Sequence, residues 1–223
     1  MINVMIAAPA HDGRVDVWHT CALVNSAKLG LSTGYNLIPI YMSYDSLVQR
    51  ARNDIVKLAL EIDVDELVFI DTDQDWEPED LFKLLEHDVD IVGGPVPKKS
   101  DIEQYNIKLV SKPYQVLDNG LVEVDSVGTG MMRLSKRAMQ MLWDNSEEYF
   151  ELGKEDSPSR MIFDVTIVDG QLWSEDVIMC KKWNDLGEKI YIDPSINSAH
   201  SGTKRWVGNF EPWIQRMLVN EEI

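Results

Sequence analysis

Short apolar runs of strand length alternate with longer stretches of helical periodicity through the first part of the chain. INVMIAA (2–8) is a continuous apolar run ending at Pro9, as suits a strand buried on both faces. Residues 15–29 keep helical spacing up to Gly30, where a glycine cap is expected. NLIPIYM (36–42) predicts a second strand, although Pro39 removes one backbone donor. In SLVQRARNDIVKLAL (46–60), Leu47, Val48, Ala51, Ile55 and Leu58 form one stripe at helical spacing, and Ser46 with Gln49 fits a capping box. ELVFI (66–70) predicts a third strand, PEDLFKLLEH (78–87) a short helix with Pro78 near its start, and DIVGG (90–94) a fourth strand.

The later part is less regular. Residues 95–120 carry lysines, prolines and few periodic apolar positions, which predicts a loop or a weak hairpin. LVEVDSVGTGMMRLS (121–135) supplies one or two strands, and SKRAMQMLWD a helix capped by Ser135. MIFDVTIVDG (161–170) and KIYIDPS (189–195) predict further strands around a helix over 174–187. Strand–helix alternation predicts right-handed crossovers and a single α/β domain, with a mainly parallel mixed sheet flanked by helices. In such sheets ligands bind at the carboxyl ends of the strands.

Charge narrows the function. The 223 residues have an ordinary 44% apolar and 26% charged content, but a net charge of −17. That balance argues against a broad surface for nucleic acid or anionic membrane, since neutralising phosphates takes clustered Lys and Arg. Cys21 and Cys180 have no metal-ligand spacing and are expected as buried thiols. The N-terminus lacks a basic region before its apolar run, and no run reaches the roughly 18–20 residues of a membrane span. A cytoplasmic protein is expected.

The chemistry concentrates in LVFIDTDQDW (67–76). Asp71, Asp73 and Asp75 alternate at the end of a strand, so an extended backbone would aim all three one way. Like charges so close call for a cation between them. An EF-hand loop would need Gly where Trp76 stands and Glu where Phe82 stands. A haloacid dehalogenase-like phosphatase would place Thr or Val where Asp75 stands. The acids also resemble the D-x-D of nucleotide-sugar glycosyltransferases, and the plainer reading is an acidic turn before the helix at Pro78.

Other residues join it. Arg52 borders the apolar stripe of its helix and suits phosphate, while Asn53 lies opposite and suits a base or ribose. WSED (173–176) opens a helix with Ser174 as N-cap, where Glu175 and Asp176 suit the dipole and a carboxylate can also take a proton. In AHSGTKRW (199–206), His200 is a credible metal ligand and Lys204 or Arg205 can balance phosphate. Gly128–Gly130 can admit backbone close to a ligand, and Trp173, Trp206 or Tyr44 can stack on a ring.

The order of strand, R-N helix, D-x-D, G-T-G, E-D and late histidine resembles a GT-A-fold glycosyltransferase, particularly the small enzymes similar to family 2 that large viruses and phages encode. The resemblance implies a Rossmann-like domain with a nucleotide-binding half over 1–94 and an acceptor-binding, catalytic half over 95–223. It implies a UDP- or GDP-linked sugar donor, Mn²⁺ or Mg²⁺, and transfer to a saccharide or other hydroxyl compound, with DNA disfavoured. Carried across, Ala8, Pro9, Arg52, Asn53, Asp71, Thr72, Gly130 and Lys204 would contact the donor. Asp71, Asp73 and His200 would hold the metal, and Asp176, or failing that Glu175, would be the base of an inverting displacement. GTKRW has Gly202 where processive members of the family have Gln, which implies addition of a single sugar. A sugar nucleotidyltransferase would show a glycine-rich basic loop after the first strand, whereas APAHDGRVD has one Gly and one Arg. A binding module without catalysis is the other alternative.

Overall fold

A computed structural model describes residues 1–110, 114–153 and 155–220. Its elements begin β1 (Ile2–Ala10), α1 (Val17–Thr33), β2 (Tyr35–Ser43), α2 (Val48–Glu61), β3 (Glu66–Ile70), β4 (Gln74–Trp76), α3 (Pro78–Glu86) and β5 (Ile91–Gly93). They continue with β6 (Ile107–Leu109), β7 (Val122–Val127), β8 (Met131–Ser135), α4 (Lys136–Asp144), β9 (Glu148–Tyr149) and β10 (Ser159–Arg160). The last are β11 (Thr166–Val168), β12 (Gln171–Trp173), α5 (Glu175–Asp185), β13 (Ile190–Ile192), β14 (Ser198–Ser201), β15 (Arg205–Val207) and α6 (Phe210–Asn220).

The central sheet has eight strands in the order β2-β1-β3-β8-β5-β13-β7-β6. β1, β2 and β3 run parallel, as do β5 and β13, while β8 and β7 run antiparallel to their neighbours. The mixed α/β sheet read from the sequence is therefore present. The two halves read from the sequence interleave, because β8 inserts between β3 and β5.

Alternation along the strands builds two apolar layers. Met5, Ala7, Leu67 and Phe69 face one core with Ile55 and Val56 of α2, Met139 of α4, Trp183 of α5 and Phe210 of α6. Val4, Ile6, Val68 and Ile70 face the other, with Ala22 of α1 and Leu81, Phe82 and Leu84 of α3. Pro39 is accommodated because β2 lies at the sheet edge. Among the described residues no helix is long and apolar enough to cross a membrane.

Several local expectations change. Helix α1 passes through Gly30 and ends at Gly34, which takes the left-handed conformation with φ of 91°. Gly30 is instead a packing position, since a Cβ there would lie 3.1 Å from the Tyr35 carbonyl oxygen. The capping box at Ser46 does not form: Leu47 is the N-cap of α2, and Asp45 accepts the Leu47 N–H at 2.8 Å. Leu47 and Val48 are exposed, so the buried face of α2 turns toward Ala51, Arg52, Asn53, Ile55, Val56 and Ala59. Cys180 is buried but Cys21 is exposed. Of the strand expected over 161–170, only β11 forms, paired with β12 in a hairpin turned at Asp169 and Gly170. Within 95–120, β6 joins the edge of the main sheet, and residues 111–113 lie outside the described residues.

Candidate active site

Strand β3 ends at Ile70, and the backbone turns at once, with the Gln74 N–H donating to the Asp71 carbonyl at 3.0 Å. The chain then enters β4, which pairs with β14 in a separate three-stranded sheet. The three acids consequently do not share a face, as an unbroken strand would require. Each meets its own cation. Asp71 accepts from Arg52 at 3.1 Å, Asp73 from Lys99 at 2.5 Å, and Asp75 from Arg205 in a two-pronged contact at 2.8 and 2.6 Å. Asp75 is buried and belongs to the scaffold of the small sheet.

His200 stands opposite Gln74 in that sheet, and its Nε2 lies 3.4 Å from Asp73 Oδ1. Its Nδ1 is 2.9 Å from the Pro97 carbonyl oxygen, which can only accept, so Nδ1 carries a hydrogen. Burial works to raise the Asp73 carboxyl, but its contacts with His200 and Lys99 outweigh it and bring it down to about 2. His19, fully buried in α1, fixes the turn from behind by donating from Nδ1 to the Asp71 carbonyl at 3.1 Å. Its Nε2 meets the Tyr41 hydroxyl at 2.8 Å, and burial lowers its pKa.

Helix α5 brings the E-D pair across from the turn. Glu175 forms an ion pair with Arg52, whose side chain is only 5% exposed. Asp176 takes the opposite role: its Oδ1 accepts from the Val177 N–H at 2.8 Å and from the Ser174 hydroxyl. Ser174 is the N-cap residue, but its hydroxyl serves Asp176 rather than a helix N–H. Among the described residues no Lys or Arg pairs with Asp176.

Two lobes and a groove meet here. An inner cavity of about 350 Å³ is lined by Arg52, Asp71, Lys99, Gly130, Asp176 and His200, among others. A second lobe of about 460 Å³, with Pro9, Thr72, Asp73, Asp12 and Ser46, shares Arg52, Asp71 and His200 with it. An outer groove of about 470 Å³, walled by Lys98, Lys108, Leu172 and Trp173, shares Asn106, Gly128 and Asp176 with the inner cavity. Gly128 leaves room beside Asp176, whose Oδ2 a Cβ would approach to 3.5 Å.

The structure thus gathers Pro9, Arg52, Asp71, Thr72, Asp73, Gly130, Glu175, Asp176 and His200 around one cleft. Three expected donor contacts lie elsewhere. Ala8 is buried in β1. Asn53 is fully buried, and its amide is committed to backbone: Oδ1 accepts from Ile162 and Phe163 N–H at 3.1 and 2.8 Å, and Nδ2 donates to the Phe163 carbonyl at 3.1 Å. Lys204 pairs with Asp101 outside the cleft and sits 5.4 Å from the Trp206 ring. Trp173 lines the outer groove, whereas Tyr44 is 80% exposed.

Lys98, Lys99 and Gln74 line the cleft without having been singled out in the sequence. Two adjacent lysines just beyond a strand end were the available signal for the first two.

The donor set Asp71, Asp73 and His200 suits a hard or borderline divalent cation in its chemistry. Among the described residues, however, no three His, Cys, Asp or Glu side chains already form a ligand group. The fit rests on Asp73 and His200, whose facing Oδ1 and Nε2 acceptors need a cation or proton between them. Two protein ligands suffice where substrate phosphates complete the shell.

No family model matches the chain, and no curated protein is similar to it in sequence. Among solved structures it is similar to A197 from STIV, with a TM-score of 0.56 at 15% identity, covering 94% of this chain and 95% of that one. This likeness shows the fold. It is more distantly similar to a glycosyltransferase involved in glycosylation of the major capsid of PBCV-1, with a TM-score of 0.33 at 12% identity over 62% of each chain. The inositol-1-phosphate CTP transferase from T. maritima has a TM-score of 0.42 at 12% identity, over 86% of this chain and 85% of that one.

Proposed function

We propose that the protein is an inverting glycosyltransferase that moves one sugar from a nucleoside diphosphate to an acceptor hydroxyl. The observation that carries this reading is the place of Asp176: a carboxylate without a cationic partner among the described residues, lining both the inner cavity and the outer groove.

The nucleoside occupies the lobe beside Pro9 and Thr72, the diphosphate lies by Arg52 and Lys99, and the sugar fills the inner cavity. The acceptor enters by the outer groove. Its hydroxyl oxygen bonds to the anomeric carbon, the bond from that carbon to the diphosphate breaks, and the electron pair leaves on the diphosphate oxygen. Asp176 takes the hydroxyl proton. The Val177 N–H and the Ser174 hydroxyl at the start of α5 hold that carboxylate in place through Oδ1. Arg52 and Lys99 balance charge gathering on the leaving group. Asp73 and His200 would hold Mn²⁺ or Mg²⁺, which would supply further electrostatic stabilisation of the diphosphate.

A sugar nucleotidyltransferase is less well supported, because the segment after β1 offers Asp12 and Asp16 around an Arg14 already paired with Asp12. The test is incubation with UDP- and GDP-sugars and Mn²⁺, followed by chromatography and NMR. Release of nucleoside diphosphate with formation of the opposite anomer is expected. Release of pyrophosphate from a nucleoside triphosphate and sugar phosphate would favour the alternative. Donor binding with no turnover in the presence of saccharide acceptors would leave a binding module.

A further inference from the structure

Gln74 is 1% exposed, lies at the wall of the inner cavity, and among the described residues neither its Oε1 nor its Nε2 meets a hydrogen-bond partner. The backbone of the turn is tied down: the Asp71 N–H donates to the Gly130 carbonyl, the Gln74 N–H to the Asp71 carbonyl, and the Thr72 and Asp73 carbonyls accept from the Asp16 and Ser201 N–H groups. Burying a carboxamide with both functions unmet carries a penalty that an apolar residue of the same size would avoid. A Gln here therefore works against stability unless something else supplies the partners.

The surroundings say what that something is. Gly94, Val96 and Gly130 line the same cavity and make part of its wall small and apolar, with a Cβ on Gly130 falling 3.3 Å from Val96 Cγ2, while His200 stands opposite Gln74 in the small sheet. The cations of the cleft, Arg52 and Lys99, are already placed to meet the charged part of a ligand. A neutral amide offers one strong acceptor and one donor group side by side. This matches two adjacent hydroxyls, one giving and one receiving a hydrogen, and matches a phosphate poorly because half of it would face oxygen lone pairs.

We propose that the Gln74 carboxamide reads a vicinal pair of hydroxyls on the transferred sugar and so determines which sugar the cavity accepts. This rests on the glycosyltransferase reading and names its specificity residue. Gln74 moves no proton, so it selects the sugar without taking part in the displacement. A site built to bond a hydroxyl discriminates strongly against a ligand that misplaces it, because its own buried groups are then left unpaired.

The test compares wild type with Gln74→Met, which keeps length and volume, and with Gln74→Leu as a second apolar variant. Calorimetry with Mn²⁺ gives dissociation constants for UDP and GDP, and for sugars sharing each nucleotide: UDP-glucose against UDP-galactose and UDP-xylose, and GDP-mannose against GDP-fucose. Wild type should separate sugars on one nucleotide by at least about tenfold, the effect of roughly one hydrogen bond. The variants should bring that ratio to within about threefold, while UDP or GDP binds as before and thermal stability is retained or raised. A ratio unchanged in the variants, a wild type that binds without discriminating, or a variant that loses UDP or GDP equally would each overturn the assignment of Gln74 alone. A wild type that binds no nucleotide and no nucleotide sugar would overturn the glycosyltransferase reading, and this one with it.

Discussion

Arg52 and Glu175 form a buried ion pair across 123 residues of sequence, joining α2 to the start of α5 at the floor of the cleft. The same guanidinium reaches Asp71, so one cation fixes both the turn after β3 and the helix that carries Asp176. Of two adjacent acids that the sequence left as competing bases, Glu175 is thereby occupied.

Exchanging the two acids should separate their roles. Asp176→Asn is expected to cut turnover by roughly 10²–10⁴-fold with little change in donor affinity or stability. Glu175→Gln leaves Arg52 with a smaller counter-charge and should lower stability by about 2–3 kcal/mol in urea titration, below the full cost of orphaning a buried ion because Asp71 remains. Equal stability losses in both variants would contradict this division.

The acids of the turn should divide in a similar way. Asp73→Asn is expected to abolish any Mn²⁺-dependent thermal shift with UDP or GDP, and to lower the melting temperature of the free protein at neutral pH because the contacts of His200 and Lys99 that hold this carboxyl at about 2 are weakened. Asp75→Asn should keep that shift but lose about 1–3 kcal/mol of stability, since Arg205 loses its two-pronged partner. Differential scanning fluorimetry reads both.

Asn53 is expected to act on folding and not on the donor. Asn53→Ala removes three hydrogen bonds to the backbone of 162–163 and strands those buried groups. The loss should be about 3 kcal/mol or more in urea unfolding, with the dissociation constant for UDP or GDP unchanged in the folded fraction.

Glu66, at the end of β3 remote from the cleft, makes stability depend on pH. Burial pushes its carboxyl up to about 7 from an ordinary 4.5, and the Arg133 charge offsets only part of this. Arg133 Nε lies 3.5 Å away without an aligned hydrogen bond, so the ion pair is too weak to cancel the desolvation. A raised carboxyl favours folding while protonated: the contribution is full below about pH 4.5 and is lost as pH rises through about 7. Glu66→Gln should therefore be no more stable than wild type at pH 4 and about 2–3 kcal/mol more stable at pH 8.5, measured by urea titration at each pH.

The main strands and the helix positions were legible in the sequence because apolar period and length are local properties. INVMIAA and ELVFI needed no partner to be read, and the unbroken apolar run of INVMIAA pointed to a strand buried on both faces. The cleft residues were legible by type: acids at a strand end, an Arg on the preceding helix, acids at a helix start. What was not legible depends on partners far along the chain. Nothing near Asp75 says that Arg205 will take it, or that Asn53 will hold 162–163 rather than a ligand. Gln74 was passed over because an amide between two acids carries no local signal, and only the surrounding wall leaves it unpaired. Gly30 was misread because a glycine in a helix can be a stop or a point of close approach, and Tyr35 decides which.

The small sheet of β4, β14 and β15 has a consequence for the order in which a growing chain acquires its chemistry. Asp73 and Asp75 leave the ribosome early, but His200 and Arg205 that complete their surroundings come far later, Arg205 130 residues after Asp75. Until then Asp75 lacks its cation, although Arg52 and Lys99 already serve Asp71 and Asp73, and His200 has yet to reach Asp73. Such distant pairings close slowly. A nascent fragment ending before β14 would carry the acidic turn without its histidine, so the site should assemble abruptly once β14 and β15 are made, instead of growing with length.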